Sequence, residues 1–304
     1  MAVSQQKIVA IIGPTASGKS ELALEIAKHL HGELLSVDSM QVYQHMDIGT
    51  GKPTLQEQQD VPHYLIDMVE PDKEFTVAKF VETADNVIAR SKSSNIPIIA
   101  AGGTPLYFKA LFEGLFEGPA ADESIRDRLR TESGEALHQR LTTVDPEAAT
   151  RIHANDTKRL IRALEVFEMT GKPISSFQTD WDSQQRRHDA IWIGLLWDKE
   201  PLNKRINARI KAMLSAGWLD ETRKLQTKYG TLSKTAGEAT GYRELLSHLR
   251  GEISLDDAVE QIKIGTRQLA RRQMKWFRRF PNVHWIPGDS PLQEKLEKTL
   301  ALYQ

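Results

Sequence analysis

The sequence contains no cysteine, and this absence excludes disulfide bonds, cysteine-ligated zinc and thiolate catalysis. Long apolar runs are also missing. The longest, Ile8–Ile12, falls far short of the roughly 18 residues that a membrane-spanning helix needs. The apolar residues that follow Lys7 are too few for the core of a signal peptide. We therefore expect a cytoplasmic protein without membrane association.

A strong excess of one charge sign is absent as well, because the formal net charge is −1. The chain as a whole is therefore not a polyelectrolyte binder. The charge is nevertheless unevenly distributed: the segment from Arg267 to Arg279 carries six basic residues and no acidic one. This local excess marks a candidate surface for an anionic partner.

Short apolar segments alternate with helical patterns along most of the chain. Such alternation predicts an α/β fold in which a parallel sheet carries helices on both faces. The predicted strands are Lys7–Ile12, Leu34–Asp38, Tyr64–Val69, Ile96–Ala101, Ile191–Trp197 and Val283–Ile286.

The pattern changes between residues 121 and 188, where a polar, arginine-rich stretch contains helical periodicity only. A helical excursion between two sheet strands indicates an insertion. The sequence thus predicts an all-helical insertion domain, 121–188, and a core formed by 1–120 and 189–304. We interpret Trp181, Trp192, Trp197 and Trp218 as core or lobe-interface residues and not as base-stacking platforms.

A phosphate-binding loop follows the first predicted strand. The segment Gly13-Pro-Thr-Ala-Ser-Gly18-Lys19-Ser20 matches GxxxxGK[ST] and opens a predicted helix, which is the context that this motif requires. Its backbone N–H groups and the helix N-terminus favour a bound phosphate, and the Ser20 hydroxyl is the predicted Mg²⁺ ligand. The fold class is therefore P-loop NTPase-like. The predicted diphosphate-binding residues are Gly13, Thr15, Ala16, Ser17, Gly18, Lys19 and Ser20.

The acidic residue that P-loop kinases and NTPases usually place at the end of a later strand is missing. The strand Ile96–Ala101 runs instead into Gly102-Gly103-Thr104, and Asp38 is the one acid at a predicted strand end. Asp38 can accept a proton from, or hydrogen-bond, an amine of an acceptor substrate. It can equally be a turn or helix-capping residue. The motif favours a kinase or an NTPase, and the missing acid weakens that interpretation.

Several ordered motifs together resemble the tRNA dimethylallyltransferases, also called tRNA isopentenyltransferases or the IPP transferase family. The motifs are GPTASGKS, SVDSMQVY, MDIGTGKP, GGTPLY, KRLIRALEV and GTRQLARRQMKWFRR. The resemblance covers nearly the whole chain. It implies transfer of a dimethylallyl group from dimethylallyl diphosphate to N6 of adenosine 37 of a tRNA, which yields N6-isopentenyladenosine and diphosphate. The phosphate loop would then bind the leaving group, and ATP would have no part.

The resemblance also implies roles for individual residues. Asp38 would hydrogen-bond the exocyclic amine and act as general base, and Thr104 would lie at the reacting centre. A diphosphate-binding arginine is expected in the helix that contains Arg205 and Arg209, and we favour Arg209. A flipped adenosine would be held by Asp38, Ser39, Met40 and Gln41.

Two basic sets are predicted to hold the RNA. In the last long helix, Arg271, Lys275 and Arg278 share a face with Arg267, while Leu269, Trp276 and Phe280 are predicted to dock another face on the core. A charge stripe is usually a solvated face, but the lack of acidic partners shifts the interpretation toward phosphate contact. The insertion contributes Lys158, Arg159 and Arg162, and Arg126 by resemblance. The expected partners are the anticodon loop of tRNA and dimethylallyl diphosphate, with Mg²⁺ as cofactor and the chain as a monomer.

Three alternative functions remain open from the sequence. One is a P-loop kinase of a small molecule or nucleotide. A second is prenyl transfer to free AMP or ADP, which would not need the arginine-rich insertion or the basic helix. A third is a nucleotide-gated RNA-binding switch, in which Asp38 and Thr104 would be dispensable.

Overall fold

The computed structural model describes residues 7–114, 118–178 and 187–303. Its centre is a six-stranded sheet in the order β3-β2-β4-β1-β5-β6, and every neighbouring pair of strands is parallel. All five residues of the central strand β1 are buried, as expected where helices cover both faces of a sheet. The strands are β1 Ile8–Ile12, β2 Glu33–Ser36, β3 His63–Tyr64, β4 Ile98–Gly102, β5 Ala190–Leu196 and β6 Val283–Pro287.

Helices connect and cover these strands. Among the described residues, one set of helices is α1 Lys19–Leu30, α2 Leu55–Asp60, α3 Val77–Ser93, α4 Pro105–Glu113, α10 Lys199–Ser215, α11 Trp218–Tyr229, α12 Lys234–Gly237, α13 Tyr242–Leu249 and α14 Leu255–Phe277. The last helix is α15 Leu292–Tyr303. The described residues 118–178 form the helices α5 Glu123–Arg130, α6 Gly134–Val144, α7 Pro146–Arg151, α8 Thr157–Thr170 and α9 Ile174–Gln178. No helix in the described part of the chain is long and apolar enough to cross a bilayer.

Strand β5 shows how the two faces of the sheet are covered. Its residues Ile191, Ile193 and Leu195 pack in one cluster with residues of α1 and α15. Because successive side chains of a strand point to opposite faces, Trp192 faces the other way and lies against Phe112, with ring centroids 4.7 Å apart. The predicted α/β fold with helices on both faces of a parallel sheet is confirmed.

The predicted strand Tyr64–Val69 is wrong over most of its length. Only His63–Tyr64 pairs with β2. Leu65 and Asp67 have φ angles of 64° and 54°, and this left-handed backbone cannot continue a strand. Val69 makes an isolated bridge to Tyr43.

The chain divides into two compact units, one of Met1–Phe112 with His188–Gln304 and one of Glu113–Arg187. The second unit, for which the limits 121–188 were predicted, contains only helices among its described residues. Its apolar cluster is built from leucines of α5, α6 and α8, including Leu129, Leu141 and Leu160. Trp192 and Trp218 are buried in the first unit, and Trp181 lies outside the described residues.

A fully buried carboxylate organises the helical unit. Glu165 of α8 accepts hydrogen bonds from the Asp122 N–H at 2.8 Å, from Arg162 at 2.6 Å and from Arg126 at 2.9 Å. Burial alone would raise the pKa of Glu165, but the bonds from Arg162, Asp122 and Arg126 outweigh it and lower the pKa overall. The carboxylate is therefore ionised at neutral pH, and its charge fixes both arginines.

We predict that Glu165→Gln destabilises the helical unit by about 2 kcal/mol at pH 7. This is less than the loss of roughly 3–5 kcal/mol that follows the breaking of a fully buried pair, because both guanidinium groups reach solvent. The folded-state pKa lies below the ordinary 4.5, so the stabilisation is present above that pH and is lost as the pH falls through the folded-state value. Native-state hydrogen exchange of the α8 amides measures it. Glu147→Gln, which removes an exposed pair with Arg151, is the matched control. Equal protection in wild type and Glu165→Gln at pH 7 would contradict the assignment.

Candidate functional site

The phosphate loop connects the buried strand β1 to the helix α1. Two residues of the loop, Ala16 and Gly18, have φ angles of 62° and 90°. This left-handed backbone turns the chain sharply, and Gly18 adopts it without steric cost as the N-cap of α1. The turn brings the N-terminus of a twelve-residue helix, with its unpaired N–H groups and favourable dipole, to the carboxyl edge of the sheet.

The carbonyl oxygens of the loop are bonded to side chains of the protein. Trp197 donates to the Ser17 oxygen at 3.0 Å, Arg205 donates to the Ala16 oxygen at 2.9 Å, and Lys19 donates to the Pro14 oxygen at 2.9 Å. No acceptor within the described residues pairs with the N–H groups of Gly18, Lys19 or Ser20. The loop is therefore fixed through its acceptors and keeps its donors for an anion.

Arg205 and Arg209 have different surroundings although they lie one helical turn apart on α10. Arg205 stacks over the Trp197 ring at 4.7 Å and holds the Ala16 carbonyl, so it supports the loop. Arg209 is close enough to Lys19 and Asp38 to shift the pKa of one and be shifted by the other. The geometry therefore favours Arg209 as the arginine that contacts an anion in the loop.

Electrostatics of this cluster favour a polyanion. The pKa of Lys19 is lowered from 10.5 to about 8, first by burial and second by the positive charge of Arg209, while Asp38 opposes the shift. Burial also lowers the pKa of Arg209, again opposed by Asp38. Two partly buried cations thus face one carboxylate, and a diphosphate would relieve their mutual repulsion.

Asp38 and Thr104 both follow strands that end at the carboxyl edge of the sheet, and these strands, β2 and β4, are neighbours. The Thr104 hydroxyl accepts from the Ser39 N–H at 3.0 Å and donates to the Ser39 hydroxyl at 3.3 Å. Asp38 Oδ1 accepts from the Met40 N–H at 2.8 Å, which is the turn role foreseen for this residue. Among the described residues no donor pairs with Asp38 Oδ2, so one oxygen fixes the turn and the other remains able to accept a ligand proton.

The missing acid at the end of β4 has a steric explanation. A Cβ on Gly102 would lie under 3.0 Å from the backbone of Val37, a separation that real Cβ atoms essentially never show. The end of β4 must therefore pass directly against the chain that leads from β2 to Asp38. The space that a metal-binding side chain would need at this strand end is occupied by the backbone that carries Asp38.

The MDIGTGKP segment is hydrogen-bonded to α11, the helix that follows α10. Glu221 of α11 accepts from the N–H groups of Asp47, Ile48 and Gly49 at 2.9, 2.8 and 3.3 Å. A Cβ on Gly51, whose φ is +60°, would lie under 3.0 Å from the Arg209 guanidinium. The MDIGTGKP segment therefore lies directly against the Arg209 guanidinium and forms one wall of the candidate site.

Gln41 is tied to the same wall. Its Nε2 donates to the Gly51 carbonyl at 3.1 Å, and its Oε1 accepts from the Ser36 hydroxyl at 2.7 Å. One amide proton and one lone pair of Gln41 remain for a ligand.

The predicted RNA-contacting residues of the insertion are largely engaged within their own unit. Arg126 and Arg162 both pair with Glu165, and Arg159 pairs with Asp156 at 3.4 Å. Lys158 is exposed on the same helix. The sequence pattern had not revealed the buried Glu165 that holds two of these arginines.

The basic helix α14 differs from the insertion, because its exposed cations are not paired with carboxylates of the described residues. Arg271, Lys275 and Arg278 are exposed, and no carboxylate of residues 7–114, 118–178 or 187–303 pairs with them. Arg267 does not belong with these exposed cations, because it donates a hydrogen bond to Asn207 at 2.7 Å and its Nε is buried.

The face of α14 that docks on the core differs from the predicted one. Ala270, Gln273 and Phe277 are buried, while Leu269 and Trp276, which were predicted to dock, are half-buried. The phase of the helix puts positions 270, 273 and 277 on one side, and Phe280 packs on Trp192 after the helix has ended.

Gln273 is a site residue that the sequence did not predict. Its Oε1 accepts from the Thr15 N–H at 2.8 Å and its Nε2 donates to the Gly103 carbonyl at 2.6 Å. Thr15 was predicted to offer its N–H to a diphosphate, but that N–H is bonded to Gln273. No local pattern signals a contact between residues 258 positions apart.

The donor set around Ser20 suits magnesium held partly by a substrate. Within the described part of the chain no group of three or more histidine or acidic side chains could hold a metal ion. Mg²⁺ typically keeps several waters and binds through one or two protein groups together with substrate phosphates. The exposed Ser20 hydroxyl in the first turn of α1, beside a cradle for phosphate, fits that mode.

The parallel sheet order and the GxxxxGK[ST] loop between β1 and α1 define a P-loop NTPase-like protein. Residues 41–280 match the family described as IPP transferase. A tRNA dimethylallyltransferase of Acetivibrio thermocellus is 46% identical over 306 residues, which cover 97% of this chain and 96% of that relative. The chain therefore belongs to the IPP transferase family and is a transferase enzyme.

Two solved structures are similar over nearly the whole chain. The tRNA isopentenylpyrophosphate transferase of Bacillus halodurans is 36% identical with a TM-score of 0.70, over 98% of this chain and 99% of that one. A eukaryotic dimethylallyltransferase acting on tRNA is 27% identical with a TM-score of 0.83, over 98% of this chain and 77% of that one. The prediction of family and fold is confirmed.

We predict that Gly51→Ala lowers the affinity for inorganic pyrophosphate about tenfold, because the added methyl group displaces the Arg209 guanidinium and costs roughly the strength of one charged hydrogen bond. Isothermal titration calorimetry with Mg²⁺ present measures the change. Gly251→Ala is the matched control: Gly251 also has a positive φ, +77°, but a Cβ there would meet nothing within 4 Å. An equal loss of affinity in both variants would show that backbone strain, and not Arg209, is responsible.

Proposed function

We propose that this enzyme transfers a dimethylallyl group from dimethylallyl diphosphate to N6 of adenosine 37 in the anticodon loop of tRNA. One observation carries the proposal: two cations of a phosphate cradle, Lys19 and Arg209, lie within electrostatic reach of a single carboxylate, Asp38. A cradle for a leaving group and a base for an attacking amine are thus side by side. The names of the relatives support the same chemistry.

On the donor side, the N–H groups at the start of α1 with Lys19 and Arg209 would hold the diphosphate. These groups are fixed before the substrate arrives, so they need no reorganisation as charge grows on the departing oxygen. The Ser20 hydroxyl would hold a Mg²⁺ ion, which would supply further neutralisation of that charge. The cations stabilise the leaving group more strongly as the bond breaks, which is the condition for catalysis.

On the acceptor side, the N6 lone pair attacks the allylic carbon C1. The C1–O bond breaks, and its electron pair departs with the diphosphate. The new bond makes N6 positively charged, and Asp38 Oδ2 accepts one of its protons, which later passes to solvent. The products are N6-isopentenyladenosine, diphosphate and a proton.

Placement of the acceptor base would depend on the segment Asp38 to Gln41. A base inside a stem–loop must leave its stack to reach an enzyme pocket. Thr104 holds Ser39 through two hydrogen bonds, and Gln41 is braced by Ser36 and Gly51. These contacts fix the polypeptide that would meet the flipped adenosine, and the Thr104 hydroxyl would lie at the reacting centre.

The phosphates of the RNA would be bound by exposed cations. Arg271, Lys275 and Arg278 of α14 are the strongest candidates, because carboxylates of the described residues do not neutralise them. The insertion would add Lys158 and Arg159, with Arg126 and Arg162 held in place by Glu165. Since all these residues lie on one chain, we propose that the enzyme acts as a monomer in the cytoplasm.

The direct test is to incubate the protein with unmodified tRNA, Mg²⁺ and dimethylallyl diphosphate, to digest the RNA, and to search by mass spectrometry for N6-isopentenyladenosine at position 37. Parallel reactions with AMP as acceptor and with ATP as donor test the two alternative activities. Formation of isopentenyl-AMP, or turnover of ATP with unchanged tRNA, would refute the proposal.

We predict that Asp38→Asn lowers kcat by about 10²–10⁴-fold while tRNA affinity changes by less than about threefold, because the amide keeps the turn acceptor but cannot take a proton. Single-turnover kinetics and filter binding separate the two effects. Asp289→Asn, at an exposed aspartate, is the control. If Asp38→Asn retains the wild-type kcat, Asp38 is not the general base.

A triple variant, Arg271→Ala, Lys275→Ala and Arg278→Ala, should weaken RNA binding and reduce the slope of log affinity against log salt concentration by about 2, since each lost phosphate contact in a single strand changes it by about 0.7. The control removes three ion-paired lysines, Lys28, Lys79 and Lys298. If the slope of log affinity against log salt concentration is unchanged in the α14 triple variant, the RNA does not bind to this face of α14.

A further inference from the structure

A single buried amide joins three parts of the catalytic core. Gln273 belongs to α14, on the side opposite solvent, and only 7% of its surface is exposed. Its side chain bonds the Thr15 N–H of the phosphate loop and the Gly103 carbonyl beside Thr104. Within the described residues, Gln273 is the one side chain that bonds to both the phosphate loop and the segment Gly103–Thr104.

The contact requires a side chain that can both donate and accept a hydrogen bond, as the glutamine amide does. One partner is a donor and the other is an acceptor, so the bridging group must offer one of each, and only one orientation of the amide satisfies both. An ionised carboxylate cannot donate, and a thioether of the same length cannot donate and accepts only weakly. The contact also depends on Gly103, because a Cβ there would lie 2.7 Å from Gln273 Nε2.

The two partners lie on different sides of the proposed reaction. Thr15 is part of the loop for the diphosphate, whereas Gly103 precedes the residue that holds Ser39 in the acceptor segment. Gln273 thus sets the distance between the leaving-group cradle and the acceptor segment. It also links both to a helix whose exposed face carries Arg271, Lys275 and Arg278.

We propose that Gln273 is a positioning residue that couples RNA bound along α14 to the diphosphate site. The inference rests on the proposed function. RNA that restrains α14 restrains Gln273, and Gln273 in turn holds Thr15 and Gly103 in the geometry that binds diphosphate. Such coupling is reciprocal, so each ligand tightens binding of the other by the same factor.

The experiment measures the affinity of the full-length protein for inorganic pyrophosphate with Mg²⁺, in the absence and in the presence of saturating unmodified anticodon stem–loop RNA. We expect the RNA to tighten pyrophosphate binding of the wild type at least about fivefold, the lower end of typical coupling between sites. In Gln273→Met, which keeps the length of the side chain and loses both hydrogen bonds, the factor should fall to about one. RNA affinity measured without pyrophosphate should stay within about twofold. Gln261→Met, at an exposed glutamine of the same helix, should keep the wild-type factor.

The outcomes are distinguishable. A wild-type factor of one, or a Gln273→Met variant that keeps the wild-type factor, overturns the coupling and leaves the proposed function intact. A wild type that binds neither pyrophosphate nor RNA overturns both. Should Gln273→Met not fold, hydrogen exchange of the wild type decides: bound RNA should slow exchange of the Thr15 amide, and unchanged exchange overturns the inference.

Discussion

The repulsion between Lys19 and Arg209, two partly buried cations that share one carboxylate, is the constraint around which the site is arranged. Burial lowers the pKa of both cations, the charge of Arg209 lowers that of Lys19 further, and Asp38 opposes each shift. The protein supports this arrangement with hydrogen bonds to the outer face of the loop, from Trp197 and Arg205. In the proposed function, a polyanionic diphosphate would complete the site.

The second constraint is the close approach of backbone segments at the carboxyl edge of the sheet. Because Gly102 passes directly against Val37, the chain after β2 and the chain after β4 are held together, and Ser39, the neighbour of Asp38, bonds to Thr104 there. This approach leaves no room for the acidic side chain that nucleotide-hydrolysing relatives of the fold place at such a strand end. In the proposed function, the same loop geometry would hold the diphosphate leaving group of a prenyl transfer and would not support phosphoryl transfer.

Much of the fold could be predicted from the sequence because its signals are local. The phosphate loop has a motif, the central strands are short apolar runs, and helices such as Val77–Ser93 have clear caps at residues such as Thr76. The failures are equally physical. Left-handed residues at Leu65 and Asp67 end a segment whose composition favours a strand, and composition does not encode φ.

Within the site, residues with a motif were predicted and residues that act through distant contacts were not. Asp38, Lys19 and Ser20 carry recognisable spacing. Gln273 has none, because its partners are fixed only when α14 packs on the sheet. Burial of Glu165, which holds Arg126 and Arg162, is likewise a property of the folded unit, and the sequence showed only an ordinary helical glutamate.

In the proposed mechanism, the phosphate loop holds the departing diphosphate beside Asp38, the base that accepts a proton from the amine. A crystal structure with Mg²⁺ and an unreactive thio-analogue of dimethylallyl diphosphate tests it most directly. We expect diphosphate oxygens on the N–H groups of Gly18, Lys19 and Ser20 and on the Arg209 guanidinium, with the allylic carbon facing Asp38 Oδ2. A diphosphate bound away from this loop, or an allylic carbon turned away from Asp38, would contradict it.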